Sequence, residues 1–148
     1  MRHSKSEIYL HVVWATKGRE PLVTPKVERP IHRCIQADAQ KLGCRVLALG
    51  GPENHMHMVV KMPTTLSAAR LANQVKGDSS HLANQVPNDG SWFGWQGGYS
   101  AHSVSRSHLK AVIEYVKHQK EHHATGKLWP YLEEIGEDTE DTPDESDP

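Results

Sequence analysis

The sequence predicts an α+β fold: one antiparallel sheet with helices on one face and an extra C-terminal helix. Three observations carry this. Apolar residues alternate at the period of a strand from Glu7 to Thr16, they recur at helical spacing between Val27 and Leu42, and two short apolar runs flank the Gly-Gly-Pro loop at residues 50–52. With 148 residues the chain has room for one domain with a real core and not for two comfortable ones.

In EIYLHVVWAT, Ile8, Leu10, Val12 and Trp14 share one face of a first strand. A loop carrying Gly18, Pro21 and Pro25 leads to a helix from Val27 to Leu42. Its apolar stripe is Val27, Ile31, Cys34, Ile35, Ala39 and Leu42; Thr24 and Pro25 suit the cap and first turn, and Gly43 suits the stop. Arg45 to Leu49 and His55 to Lys61 form an expected antiparallel pair of strands. Pro63 ends the second, and a helix capped by Thr64 or Thr65 runs from Ser67 to Val75 or beyond. PNDGSWFGWQGG at 87–98 is a loop holding Trp92, Phe93 and Trp95. Tyr99 to Val104 is a fourth strand, and Ser105 or Ser107 caps a last helix from His108 to His123 that buries Leu109, Val112, Ile113 and Val116. The order β-α-β-β-α-β followed by a helix is the ferredoxin-like split βαβ arrangement, which by itself decides nothing about function.

The formal charge of −1 hides two opposite pieces. Nine of the eighteen acids follow the last basic residue, Lys127, so residues 1–132 carry a formal +8, a balance suited to a polyanion. Residues 1–131 are expected to form the single domain and 132–148 an acidic, disordered tail, a solubilising appendage rather than an inhibitory mimic of DNA. No apolar run is long enough to span a bilayer, and the first thirty residues lack a secretory pattern, so the expected location is the cytoplasm. Cys34 and Cys44 fit reduced thiols rather than a disulfide framework.

Alternation along a strand puts His55 and His57 on one side, about 7 Å apart, and Met56 on the other, apolar side. Two imidazoles so placed can grip one divalent ion with a reach of about 2.1 Å each and leave its remaining positions open for a third ligand and substrate oxygens. Among eleven histidines an H-x-H pair is a weak signal on its own, and two exposed histidines are its ordinary alternative. The last helix brings Tyr115 and Gln119, four residues apart on one face, with His118, Glu121 and His122 as neighbours. For Tyr115 alone, a half-buried position beside Ile113 and Val116 is the rival reading.

Together, ENHMHMVVKMP and GYSAHSVSRSHLKAVIEYVKHQKEHH resemble the single-tyrosine HUH transposases, the small insertion-sequence enzymes and their REP-associated relatives. The match lies in His55, Met56 and His57 and in Tyr-x-x-x-Gln at Tyr115 and Gln119, and HVVWATKGREP resembles the family's first strand and loop. The resemblance covers about residues 7–124. It implies a domain that forms a homodimer, with Mg²⁺ or Mn²⁺ held by His55, His57 and Gln119. It further implies Tyr115 as nucleophile, leaving a 5′-phosphotyrosine and a 3′-hydroxyl on single-stranded DNA with hairpin ends. His118 and His122 are candidate bases for activating the phenol.

A single-strand substrate also suits the rest of the chain. Trp92 and Trp95 can offer faces for bases, against the rival of core packing for their loop. Lys17, Arg19, Lys61, Arg70, Lys76 and Arg106 are candidate phosphate contacts. Two other readings are a non-catalytic nucleic-acid-binding module of the same fold, and a metal-dependent phosphodiesterase that acts through water with Tyr115 structural.

Overall fold

In a computed structural model, residues 4–120, 126 and 128–135 are described. Four strands, β1 (Ile8–Ala15), β2 (Arg45–Gly50), β3 (His55–Met62) and β4 (Ser100–Ser103), form one antiparallel sheet in the order β2-β3-β1-β4. Three helices, α1 (Pro25–Lys41), α2 (Ala68–Ala83) and α3 (Leu109–Lys117), complete the domain. This is the split βαβ order that the sequence predicts.

The alternation of β1 and β3 sorts side chains between two faces. Val12, Trp14, Met56, Met58, Val60 and Met62 pack with Val27, Ile31 and Ile35 of α1 and Leu71 and Val75 of α2 in the main core. The opposite face holds a smaller cluster, in which Ala48 and Val59 meet Val112 and Val116 of α3. Thus α1 and α2 share one face, as expected, and the extra helix lies on the face to which β3 points its histidines.

Several boundaries differ from expectation for local reasons. The cap of α2 is Ser67, whose hydroxyl accepts from Arg70 N at 3.0 Å, rather than Thr64 or Thr65. That helix continues past Val75 to Ala83, as its open-ended bound allows, with Leu71, Val75, Ser79 and Ala83 buried along one face at a spacing of four. Thr24 precedes α1 but its hydroxyl bonds Asn88 Oδ1 instead of capping, while Gly43 closes the helix at a φ of 91°. Regular α3 starts after His108, not after a serine cap, and ends where His118 departs from helical geometry; the expected continuation to His123 enters residues outside those described.

The loop at 87–98 is held to the end of α2, where the Asn84 amide exchanges two hydrogen bonds of 2.8 Å with the Phe93 backbone. Among the described residues no helix is long and apolar enough to cross a membrane.

Candidate active site

β3 is an interior strand, so a side chain on its α3 face is closed in by both neighbouring strands and the helix above. His57 is fully buried there and His55 is 6% exposed at the strand's end, opposite Ala15. Their Nε2 atoms converge on a single atom, Glu133 Oε1, at 2.9 and 3.2 Å. The other oxygen of that carboxylate, Oε2, accepts from the Tyr115 hydroxyl at 2.6 Å. Strand, helix and C-terminal segment thus meet at one carboxylate.

Each ring is also fixed from behind: His55 Nδ1 lies 2.8 Å from Asn54 Oδ1, and His57 Nδ1 lies 2.9 Å from His11 Nε2. Tyr115 is 2% exposed, stacks on Trp129 at 4.9 Å and receives the Trp129 backbone N–H at 3.1 Å. Gln119, 1% exposed, donates through Nε2 to the Tyr115 carbonyl. Beside it opens a cleft of about 330 Å³ lined by Gly50, Gly51 and His32.

The electrostatics follow from this crowding. Burial alone would raise the Glu133 pKa, but hydrogen bonds from His55 and His57, the His57 charge and the Tyr115 hydroxyl together hold it well below the usual carboxylate range. Burial, then the bond to Glu133, pushes the Tyr115 hydroxyl up to about 12, against smaller opposing effects of Trp129 and Gln119. Burial, then the proximity of His57 and His102, lowers His11 to about 3.

The ligand atoms of His55, His57 and Glu133 lie within 4.8 Å of one another, and the donor set of two imidazoles and one carboxylate suits a divalent cation. Nitrogens that donate to a shared carboxylate oxygen are the same ones that ligate a cation once their protons leave, so the residues present fit a metal.

Of the predicted site residues, His55, His57, Tyr115 and Gln119 come together. Glu133 does not appear in that set: it falls in the segment assigned to the acidic tail, yet Leu132 is 2% exposed and Glu133 closes the site. The apolar LWPYL just before it was the available signal. His118 is exposed and pairs with Glu114 at 3.4 Å, while the Tyr115 hydroxyl is bonded to Glu133. Glu121 and His122 lie outside the described residues.

The nucleic-acid candidates are scattered. Lys17 and Arg19 follow β1 at the histidine end of the sheet, and the Lys17 N–H bonds Gly94 O in the aromatic loop. Trp92 on that loop is 61% exposed, whereas Trp95 is partly buried: its ring meets Trp14 and Phe93 edge-on and its N–H bonds the Ser79 hydroxyl. Arg70 and Lys76 belong to α2 on the opposite side of the sheet, with Lys76 bonded to Gly98 O. Lys61 sits at the far end of β3, about 20 Å of strand from His55. Arg106 lies 3.5 Å from Glu7 before α3.

The family model described as "Transposase IS200 like" matches residues 4–119. The transposases for insertion sequence element IS200 of Salmonella typhimurium (strain LT2) and Salmonella typhi are each 23% identical over 133 residues, covering 86% of this chain and 86% of theirs. Among solved structures, a Deinococcus radiodurans protein described as a transposase is similar with a TM-score of 0.62 at 19% identity, covering 80% of this chain and 95% of that one. A REP-associated tyrosine transposase bound to a REP hairpin is similar with a TM-score of 0.62 at 14% identity, covering 88% and 78%. The chain belongs to the IS200-like transposase family.

Proposed function

We propose that this transposase cleaves and rejoins single-stranded DNA through a 5′-phosphotyrosine on Tyr115, with Mg²⁺ or Mn²⁺ held by His55, His57 and Glu133 and with Gln119 completing the set. One observation carries the reading: the Tyr115 hydroxyl and both histidine Nε2 atoms meet on the same Glu133 carboxylate. When bound, the cation supplies Lewis acidity to the scissile phosphate.

The chain's own residues do the rest. His55 and His57, each supported at Nδ1, present Nε2 in fixed positions. Glu133 Oε2 orients the phenol, and its depressed pKa makes it a hydrogen-bond acceptor rather than a strong base. Tyr115 Oη attacks phosphorus, the bond to the 3′-oxygen breaks, and the phenol proton is balanced by the one gained at the new 3′-hydroxyl. Reversal of the same step onto another 3′-hydroxyl joins strands and needs no other energy source. Because burial keeps Tyr115 protonated and covered, Trp129 and the carboxylate must yield before a phosphate reaches it.

A DNA hairpin is the substrate class this reading takes, since a REP hairpin is what the similar REP-associated transposase is bound to. Lys17, Arg19 and Trp92, at the histidine end of the fold, are the favoured contacts to its single-stranded flank. Labelled hairpin oligonucleotides incubated with the protein and Mn²⁺ test the mechanism: a protein–DNA adduct that survives denaturing gels and is absent in Tyr115→Phe is expected. Cleavage without an adduct overturns it in favour of hydrolysis by water, and binding without cleavage in favour of a non-catalytic module. The homodimer implied by the family resemblance is checked by sedimentation of the protein with and without the hairpin.

A further inference from the structure

Three imidazoles stand in a row across the middle of the sheet. His11 on β1 is fully buried, its Nε2 is 2.9 Å from His57 Nδ1, and the two rings meet edge to edge with centroids 5.1 Å apart and planes within 9° of parallel. His102 on β4 is directly opposite His11 in register, ring to ring 6.4 Å. Burying a polar ring in a strand between Leu10 and Val12 is costly without a compensating bond, and the bond it makes is to His57. The chemistry assigned to Tyr115 and Glu133 makes no use of it.

We propose that His11 is a positioning residue for His57, holding its Nδ1 so that Nε2 faces the cation site in the ligating orientation and tautomer. This rests on the metal reading above. A histidine ligating through Nε2 carries its proton on Nδ1 and needs an acceptor there, and the partner that supplies one fixes both ring angle and tautomer. His11 Nε2 is that acceptor, provided the proton of His11 sits on its own Nδ1. That Nδ1 is buried with no hydrogen-bond partner among the described residues, so no competing bond dictates the tautomer and His57 sets it. The near-coplanar rings suit that bond: a ring nitrogen's lone pair or N–H lies in the ring plane, so turning His57 about its side-chain axis would carry its Nδ1 out of line with His11 Nε2. His55 has a different support at Nδ1, the Asn54 amide oxygen from the adjoining loop, so the loss of His11 leaves that support intact.

The test is Mn²⁺ binding to the full chain, read by the electron paramagnetic resonance of free Mn²⁺, in wild type and in three variants whose folding is checked by circular dichroism. His11→Phe keeps a ring and removes the acceptor; His11→Gln puts an amide where Nε2 was; His11→Asn puts it where Nδ1 was. The expected result is a loss of about ten- to a hundredfold in affinity for His11→Phe and His11→Asn, the range for partners of metal-bound histidines, with most of the affinity restored in His11→Gln. Wild-type affinity in His11→Phe, or equal affinities in His11→Gln and His11→Asn, overturns the inference. If His11→Phe fails to fold, the comparison of the two amides decides alone. Absence of Mn²⁺ binding in the wild type overturns the metal reading and this inference with it, a result distinct from any variant-specific one.

Discussion

Tyr115 and Glu133 are joined by a 2.6 Å hydrogen bond, and through the other oxygen of the same carboxylate Tyr115 is linked to His55 and His57. Removing that carboxylate tests both halves of the link. Glu133→Ala is expected to lower Mn²⁺ affinity by about tenfold or more, and to destabilise the metal-free protein by about 1–3 kcal/mol because three buried donors lose their acceptor. The sign with pH follows from a depressed folded-state pKa: the carboxylate's contribution is present above its unfolded value of 4.5 and is lost as pH falls through the much lower folded value. The gap in thermal midpoint between the two proteins should therefore persist at pH 5 and close only in strong acid. Calorimetry measures both effects, and unchanged metal affinity would remove Glu133 from the ligand set.

Gly50 sets how closely α3 approaches the sheet. A Cβ at this position would stand 2.7 Å from the Val116 carbonyl oxygen, a backbone atom with little freedom to move. Gly50→Ala should push away the helix that carries Tyr115, destabilising the fold by about 1–3 kcal/mol and reducing adduct formation more than DNA binding. Parallel melting, binding and single-turnover cleavage measurements separate these. An alanine variant with full cleavage would show that the helix tolerates the shift.

How far the site could be read from the sequence depended on whether its parts had periodic neighbours. His55 and His57 were legible because they interrupt an apolar strand at its own period, and Tyr115 and Gln119 because they share a helical face. Glu133 was not, since it stands first in a run of acids whose composition argues for solvent and whose spacing carries no period. His11 was hidden for the opposite reason: it sits beside Val13 and Ala15 on the other side of a strand whose alternation is already accounted for by Ile8, Leu10, Val12 and Trp14. The fold followed from alternation and helical spacing alone. What alternation could not supply was the placement of α3 over β2 and β3, which rests on the small cluster of Ala48, Val59, Val112 and Val116.

The two candidate stacking tryptophans should part company. Trp92→Ala is expected to weaken single-stranded DNA binding by about 1–3 kcal/mol, or roughly five- to over a hundredfold, with little change in stability. Trp95→Ala should instead cost about 3 kcal/mol of stability, because its ring fills space between Trp14 and Phe93 and its N–H satisfies Ser79. Fluorescence-anisotropy titration and urea unfolding of both variants give the comparison. Equal effects on binding would return Trp95 to the interface.

Away from the site, Asp38 of α1 faces Asp78 of α2, and burial followed by that neighbouring carboxylate pushes Asp38 up to about 6. A raised folded-state pKa means that protonated Asp38 contributes its stability in full below the unfolded value of 3.8, and that the contribution is lost as pH rises through about 6. Asp78 shifts the other way, held down first by its hydrogen bond with Asp38 and then by Gln74, so the pair behaves as one site sharing a proton. Asp38→Asn keeps a neutral donor at every pH and removes the repulsion. It should raise the thermal midpoint at pH 8 by about 2 °C, a small shift because partial exposure keeps the effect under about 1 kcal/mol, and leave it nearly unchanged at pH 5. Melts of both proteins at the two pH values measure this, and an equal shift at both would mean that the two carboxyl groups do not share the proton.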